Sequence, residues 1–237
     1  MTASSFRAGI RGVLLDIEGT TTPIAFVHEV LFSYARTHLR DYIARHFTDE
    51  SVRADLEALR KEGGDFSDEI DAVVAHINQL INLDRKSTGL KSLQGKIWHE
   101  GYSGGSLRAE VYPDVPPALA RWRAAGLNVS IFSSGSVLAQ QLLFAHTEAG
   151  DLTPFINNYF DTTVGKKGEV ESYRKIADTL KLEPTEILFI SDVVNELAAA
   201  RDAGMKTVLS IRPGNQPQES ANSYPTISSF DELQLTT

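Results

Sequence analysis

The apolar run Gly12-Val13-Leu14-Leu15 stops abruptly at Asp16, and turn formers follow in Gly19-Thr20-Thr21-Thr22-Pro23. This predicts a buried strand opening into a loop. From about Ile24 to Tyr102 the apolar spacing changes to helical periods, as in Val27, Val30, Leu31 and Tyr34, then Leu56 and Leu59, then Val73, Val74, Ile77 and Leu80. That stretch is expected to contain only helices and loops. A helix over 117–125 leads through Gly126 into a second buried strand, Leu127 to Phe132, which ends at Ser133-Ser134-Gly135. The alternation continues with a helix over 137–146, a short strand at Tyr159-Phe160, a helix over 169–180 and the apolar run Ile187 to Ile190. A helix over 195–203 and a strand at Thr207-Val208-Leu209 follow. Arg212 to Tyr224 reads as an extended loop before a short terminal element at 227–233.

Strands separated by helices predict an α/β fold of Rossmann-like form, a parallel sheet with helices on both faces. Right-handed crossovers place every strand's C-terminal end on one edge, where ligand groups gather. The block between the first two strands is too long for an ordinary crossover. It is therefore read as an inserted helical cap, residues 22–110, on a core of residues 1–21 and 111–237.

Three strand ends place polar groups where an apolar run stops: Asp16 and Glu18, Ser133 and Ser134, and Asp192. Any one of these is commonplace as a helix cap or solvated loop residue. Their coincidence on one edge suggests a site. One carboxylate near a magnesium ion stays ionised and can attack phosphorus, while a second can protonate the leaving oxygen and later activate water. Mg2+ takes one or two carboxylates plus water and phosphate oxygens, and Asp192 offers a carboxylate from a separate strand. Glu196, one helical turn later, could orient it or a bound water. Ser133, Ser134 and Gly135 precede a helix N-terminus, where hydroxyls and free N–H groups suit a phosphate. Lys167 opens the next helix against its dipole and needs an anionic partner, a role for which Lys166 competes.

Bulk properties narrow the classes further. A chain of 237 residues, 42% hydrophobic, can bury a full core. With 23 Lys and Arg against 31 Asp and Glu, it lacks the basic footprint of a nucleic-acid binder. No cysteine is present, which removes disulfides, thiolate metal sites and Cys nucleophiles together. No apolar stretch suits a signal peptide or a membrane span, so a cytoplasmic enzyme is expected, with monomer as the default. Neither G-x-G-x-x-G nor G-x-x-x-x-G-K-[ST] follows any strand, which argues against nucleotide binding.

The ordered series Asp16-Ile17-Glu18-Gly19-Thr20-Thr21, Ser133-Ser134-Gly135, Lys167 and Ser191-Asp192-Val193-Val194-Asn195-Glu196 resembles the four motifs of the haloacid dehalogenase-like hydrolases. Glu18 stands where most of that superfamily has Asp, and Asp16 to Val27 is similar to the enolase-phosphatase family of methionine salvage, the acireductone synthases. Leu93-Gln94-Gly95-Lys96-Ile97-Trp98, Glu171 to Ile176 and Tyr224 to Phe230 extend the resemblance over nearly the whole chain. It implies a magnesium-requiring, bifunctional enzyme. Such an enzyme enolises 2,3-diketo-5-methylthiopentyl-1-phosphate and then removes phosphate to give the acireductone. By motif, Asp16, Glu18 and Asp192 would hold the metal, Glu18 through its backbone carbonyl, and Ser133, Ser134 and Lys167 would hold the phosphate. Ser191 replaces the Gly found before the metal-binding Asp in many superfamily members. His28, Glu29 and His99 are available in the cap for enolisation but are not assigned to it. Trp98 and Phe26 are candidates for an apolar pocket, although aromatics at helical spacing usually serve the core. The competing readings are another capped phosphatase, a phosphoryl-transfer mutase, and a scaffold protein that has lost catalysis.

Overall fold

A computed structural model describes residues 9–83, 85, 87–219 and 221–235. The chain divides into two compact units, one holding residues up to Val27 and from Arg108 onward, the other His28–Leu107. Residues 22–27 and 108–110 thus group with the sheet rather than with the helices.

The first unit is built on β1 (Gly12–Leu15), β2 (Asn128–Phe132), β3 (Asn158–Phe160), β4 (Ile187–Ser191), β5 (Lys206–Ser210) and β6 (Thr226–Ile227). All pairings are parallel, in the spatial order β3-β2-β1-β4-β5-β6. Every residue of β1 and β4 is buried, as a parallel sheet covered on both faces requires. The terminal element expected at 227–233 separates into β6 and a 3-10 turn at Phe230–Glu232, which Ser229 caps by accepting from the Asp231 N–H at 3.1 Å.

One face of the sheet is closed by a cluster of Leu14, Phe132, Tyr173, Ile176, Phe189 and Leu197. Leu14, Phe132, Tyr173 and Phe189 have no measurable exposure. Each fully buried side chain of this size contributes about 1.5 to 3 kcal/mol relative to exposure. Two helices of this unit start on clear local signals. Pro116 and Pro117 sit in the first turn of the helix Val115–Ala124. Ser136 caps the helix Val137–Ala145, its Oγ accepting from the Ala139 N–H at 3.3 Å.

Register fixes the functional edge. Leu15 pairs with Ile131 on one side and Ile190 on the other, so β1, β2 and β4 run out level with one another. The chain proceeds from β1 outward through β2 and β3, then returns to β4 on the opposite side of β1 and continues outward through β5. The reversal between β1 and β4 opens a crevice at their C-terminal ends.

The second unit contains α1 (Phe32–His46), α2 (Glu50–Lys61), α3 (Ile70–Asn82) and α4 (Thr88–Ser103), and no strand among the described residues. A π-helical turn, Phe26–Leu31, leads directly into α1. Leu39, Ile43, Val52, Leu56, Leu59, Val73, Ile77, Leu93 and Ile97 form a separate core. Those positions recur at helical spacing on all four helices, which explains why the apolar period along this stretch is helical throughout. Ser87 begins α4 by accepting from the Leu90 N–H at 3.1 Å.

Candidate active site

Asp16 is the first residue past β1 and is 4% exposed. Its amide continues the sheet by donating to the Ile190 carbonyl at 3.0 Å. The chain then turns tightly, with the amides of Thr20, Thr21 and Thr22 all donating to the Ile17 carbonyl. Gly19 makes the turn possible with φ +65°. A Cβ there would lie 2.7 Å from Asp192 Cγ and closer still to Asp192 Oδ2. The Asp192 carboxylate, just past β4, therefore rests directly on the glycine of the β1 loop, and no larger residue fits.

Lys167 reaches this point from the turn before the helix Val170–Leu180. Its Nζ donates to Asp16 Oδ1 at 2.6 Å and lies 2.7 Å from Glu196 Oε2. Its own carbonyl is held by the Tyr173 hydroxyl at 2.7 Å, and the ammonium stands 6.0 Å from the Phe132 ring centroid. Lys166 instead points to solvent, 84% exposed and 3.5 Å from Glu169. Of the two lysines, it is Lys167 that reaches Asp16. Asp16 Oδ1 also accepts from the Ile17 N–H at 2.7 Å, while Oδ2 receives the Ser191 hydroxyl at 3.3 Å.

Ser191, the last residue of β4, is buried. It bridges two carboxylates, since its Oγ also lies 2.9 Å from Glu196 Oε2, and it accepts from the Val193 N–H at 3.1 Å. The Ser-for-Gly replacement noted in the sequence is thus a structural part of the site.

Three carboxylates, Asp16, Asp192 and Glu196, share one ammonium in this cluster. Burial, together with the neighbouring Asp16 and Glu196 carboxylates, pushes Asp192 up to about 7 against the opposing pull of Lys167. Burial and then Asp16 raise Glu196 to about 7, again opposed by Lys167 and by the Ser191 hydroxyl. Burial works to lower Lys167, but Asp16 and Glu196 outweigh it and hold the ammonium well above the ordinary lysine range. The site is one positive charge or more short of balance, which suits a divalent cation. Among the described residues, no three His, Cys, Asp or Glu side chains form a metal cluster by themselves. A cation here would complete its shell from backbone carbonyls, water and substrate oxygens, as Mg2+ commonly does.

Ser133 follows β2 and is buried, with its amide donating to the Phe160 carbonyl at 3.1 Å and its Oγ accepting from the Gly135 N–H at 3.2 Å. Ser134 is half-buried beside it. Both stand on the same sheet edge as Asp16, one strand away. Glu18 is half-buried and its backbone bridges to Thr22. Phe26 is 4% exposed. Within the helical unit, Trp98 donates its indole N–H to the Leu31 carbonyl at 2.8 Å and packs on Phe32, while His28, Glu29 and His99 are exposed.

A fourth strand end also contributes, and it escaped the sequence reading. At the end of β5 and just past it, Ser210 Oγ and Asn215 Nδ2 donate to the Gly19 carbonyl at 3.3 and 2.9 Å. Arg212 Nε donates to the Thr20 carbonyl at 3.3 Å. The guanidinium pairs with both oxygens of Asp114 at 3.0 and 2.8 Å and lies between the rings of Tyr112 and Phe230. The available signal was the run Ile211-Arg212-Pro213-Gly214-Asn215, in which an apolar strand breaks into a charged, turn-forming segment on the same edge.

Comparison with known proteins agrees with this construction. Residues 10–204 match the model of the haloacid dehalogenase-like hydrolases. The chain is 52% identical over 234 residues to the enolase-phosphatase E1 of Synechococcus elongatus, covering 94% of this chain and 98% of the relative. It is 47% identical over 224 residues to the enolase-phosphatase E1 of Pseudomonas aeruginosa, with the same coverage. The crystal structure of the UTR4 protein from Saccharomyces cerevisiae superimposes with a TM-score of 0.82 at 36% identity, over 94% of this chain and 99% of that one. The crevice between β1 and β4, the motif order and these similarities lead to one assignment: the chain belongs to the haloacid dehalogenase-like hydrolases and, among them, to the enolase-phosphatase family.

Proposed function

We infer that the protein is a magnesium-dependent enolase-phosphatase. It converts 2,3-diketo-5-methylthiopentyl-1-phosphate to 1,2-dihydroxy-3-keto-5-methylthiopentene and phosphate, the acireductone-forming step of methionine salvage. The observation that carries this reading is the buried cluster of Asp16, Lys167 and Glu196 at the β1/β4 crevice, in a chain 44–52% identical to enolase-phosphatases.

Asp16 is the nucleophile. The Lys167 ammonium lies against its carboxylate at 2.6 Å, and the low exposure of both side chains limits the water that would otherwise screen the pair. Attack forms a bond between an Asp16 carboxylate oxygen and phosphorus and breaks the bond to the enol oxygen, which takes a proton from the Glu18 carboxyl. Water then adds to phosphorus, Glu18 recovers its proton from that water, and the acyl phosphate bond breaks to release phosphate and the Asp16 carboxylate. Positioned acid–base help of this kind is worth roughly 100- to 10,000-fold. Ser133, Ser134 and Lys167 hold the phosphoryl oxygens. Asp16 and Asp192, with the Glu18 carbonyl, would hold Mg2+, which when bound supplies positive charge to the phosphoryl group as it is transferred. Substrate selection is assigned to the helical unit, residues 28–107.

The test is a time course with the diketo phosphate, following enol absorbance and released phosphate in parallel. Wild type with Mg2+ yields both, and Asp16→Asn yields no phosphate while remaining folded by circular dichroism. Phosphate release from unrelated esters but not from this substrate would replace the reading with that of another capped phosphatase.

A further inference from the structure

Asn215 is held in one orientation by chemistry alone. Its Nδ2 donates to the Gly19 carbonyl at 2.9 Å and to the Ser210 carbonyl at 3.2 Å. Both partners can only accept, so the amide nitrogen must face them and the amide oxygen must face away. That oxygen, Oδ1, is shielded from solvent and has no hydrogen-bond partner among the described residues. A Cβ built on Gly19 would lie 2.8 Å from Asn215 Oδ1 and 2.7 Å from Asp192 Cγ, with Asp192 Oδ2 nearer still. The Asn215 oxygen and the Asp192 carboxylate therefore converge on the same side of Gly19. Two acceptors cannot satisfy each other, and a buried acceptor left unmet is a cost that native structures relieve with water or an ion.

We propose that Asn215 is a positioning residue for the divalent cation, its Oδ1 accepting a hydrogen bond from a hydration water of the Mg2+ held at Asp16 and Asp192. The proposal rests on the magnesium reading above. Mg2+ sheds water reluctantly and keeps several molecules when bound by few carboxylates, so its site needs acceptors for their protons. Asn215 is suited to that task because its other end is fastened to the loop that carries Asp16. The amide ties the β5 end, the Gly19 turn and the cation's water shell into one rigid element.

The experiment is calorimetric titration of Mg2+ into the full-length protein without substrate, for wild type, Asp192→Asn, Asn215→Ala, Asn215→Ser and Ser210→Ala. Ser210→Ala removes the other side-chain support of the Gly19 carbonyl and leaves Asn215 Oδ1 in place, so it isolates loop support from water positioning. Loss of an outer-shell partner weakens metal binding by about 10- to 100-fold. Both Asn215 variants should show that loss, while Ser210→Ala stays close to wild type. Melting curves without Mg2+ identify any variant that is unfolded, and the Asn215 variant that folds decides the result. Wild-type affinity in a folded Asn215 variant, or equal weakening in Ser210→Ala, would overturn the proposal and leave the magnesium reading standing. No binding by wild type would overturn both.

Discussion

Arg212→Met tests how strongly the β5 end supports the catalytic loop. The side chain of Arg212 is 3% exposed and that of Asp114 is 11% exposed. Asp114 accepts both guanidinium bonds and also the Phe230 N–H at 2.5 Å, while Arg212 Nη1 donates to the Ser228 carbonyl at 2.7 Å. Methionine keeps an unbranched apolar stem between Tyr112 and Phe230 but leaves the carboxylate buried without a cation. Removing one partner of such a pair costs about 3 to 5 kcal/mol, against a total stability of about 5 to 15 kcal/mol. The lost bonds to Thr20 and Ser228 fall within that figure, since they belong to the same network and do not add.

The pH dependence has a definite sign. Burial alone would raise Asp114, but the Arg212 hydrogen bonds and the Phe230 amide outweigh it and hold the carboxyl below its usual range. A group depressed in the folded state contributes stability that is present above its unfolded value, near 3.8, and is lost as pH falls through the folded value. The deficit of Arg212→Met should therefore be largest at neutral pH and shrink below about pH 4. Urea unfolding at both pH values measures it. In Asp114→Leu/Arg212→Met the unpaired charge is gone, so the double variant should be more stable than Arg212→Met. A single-variant loss below about 1 kcal/mol, or single losses that add within about 0.5 kcal/mol, would refute the coupling.

What the sequence disclosed and what it concealed divide along physical lines. The strands at Gly12 and Ile187 were legible because a parallel strand buried on both faces is a short, uninterrupted apolar run, and those at Leu127 and Thr207 because apolar residues predominate between helical stretches. The polar residue that halts each run then marks the functional edge, which is how Asp16, Ser133 and Asp192 stood out. The helical block was legible by period. Ser191 was visible only as a departure from a motif, because a serine ending a strand has no signature of its own. Its bridge between Asp16 and Glu196 exists only once β1 and β4 are neighbours. Arg212 and Asn215 were hidden by composition, since a Pro- and Gly-containing polar segment reads as an ordinary loop. Asp114 lies 98 residues from its partner Arg212, a pairing no local pattern encodes.

Substitutions at three positions probe the separate layers. Gly101→Ala addresses the helical unit alone: its Cβ would stand 2.7 Å from the Tyr34 ring, so overpacking should cost about 1 to 3 kcal/mol, read from the melting temperature, and an unchanged value would show that the ring moves freely aside. Gly19→Ala combines a left-handed backbone, costing about 1 to 2 kcal/mol, with a Cβ driven onto Asp192, so phosphate release should fall far more than stability. Preserved activity in that variant would remove the requirement for close contact between the two loops. Ser191→Ala deletes the hydroxyl that lies between Asp16 and Glu196 and leaves the pair of carboxylates one donor short, a loss of about 1 to 3 kcal/mol in folding stability. Because the hydroxyl aims Asp16 rather than binding substrate, kcat for phosphate release should drop with little change in KM. Ser191→Thr keeps the donor on a strand position that tolerates a β-branched residue, and it should restore kcat. Equal kcat in Ser191→Ala and wild type would mean that Lys167 and the Ile17 amide orient Asp16 without help from the serine.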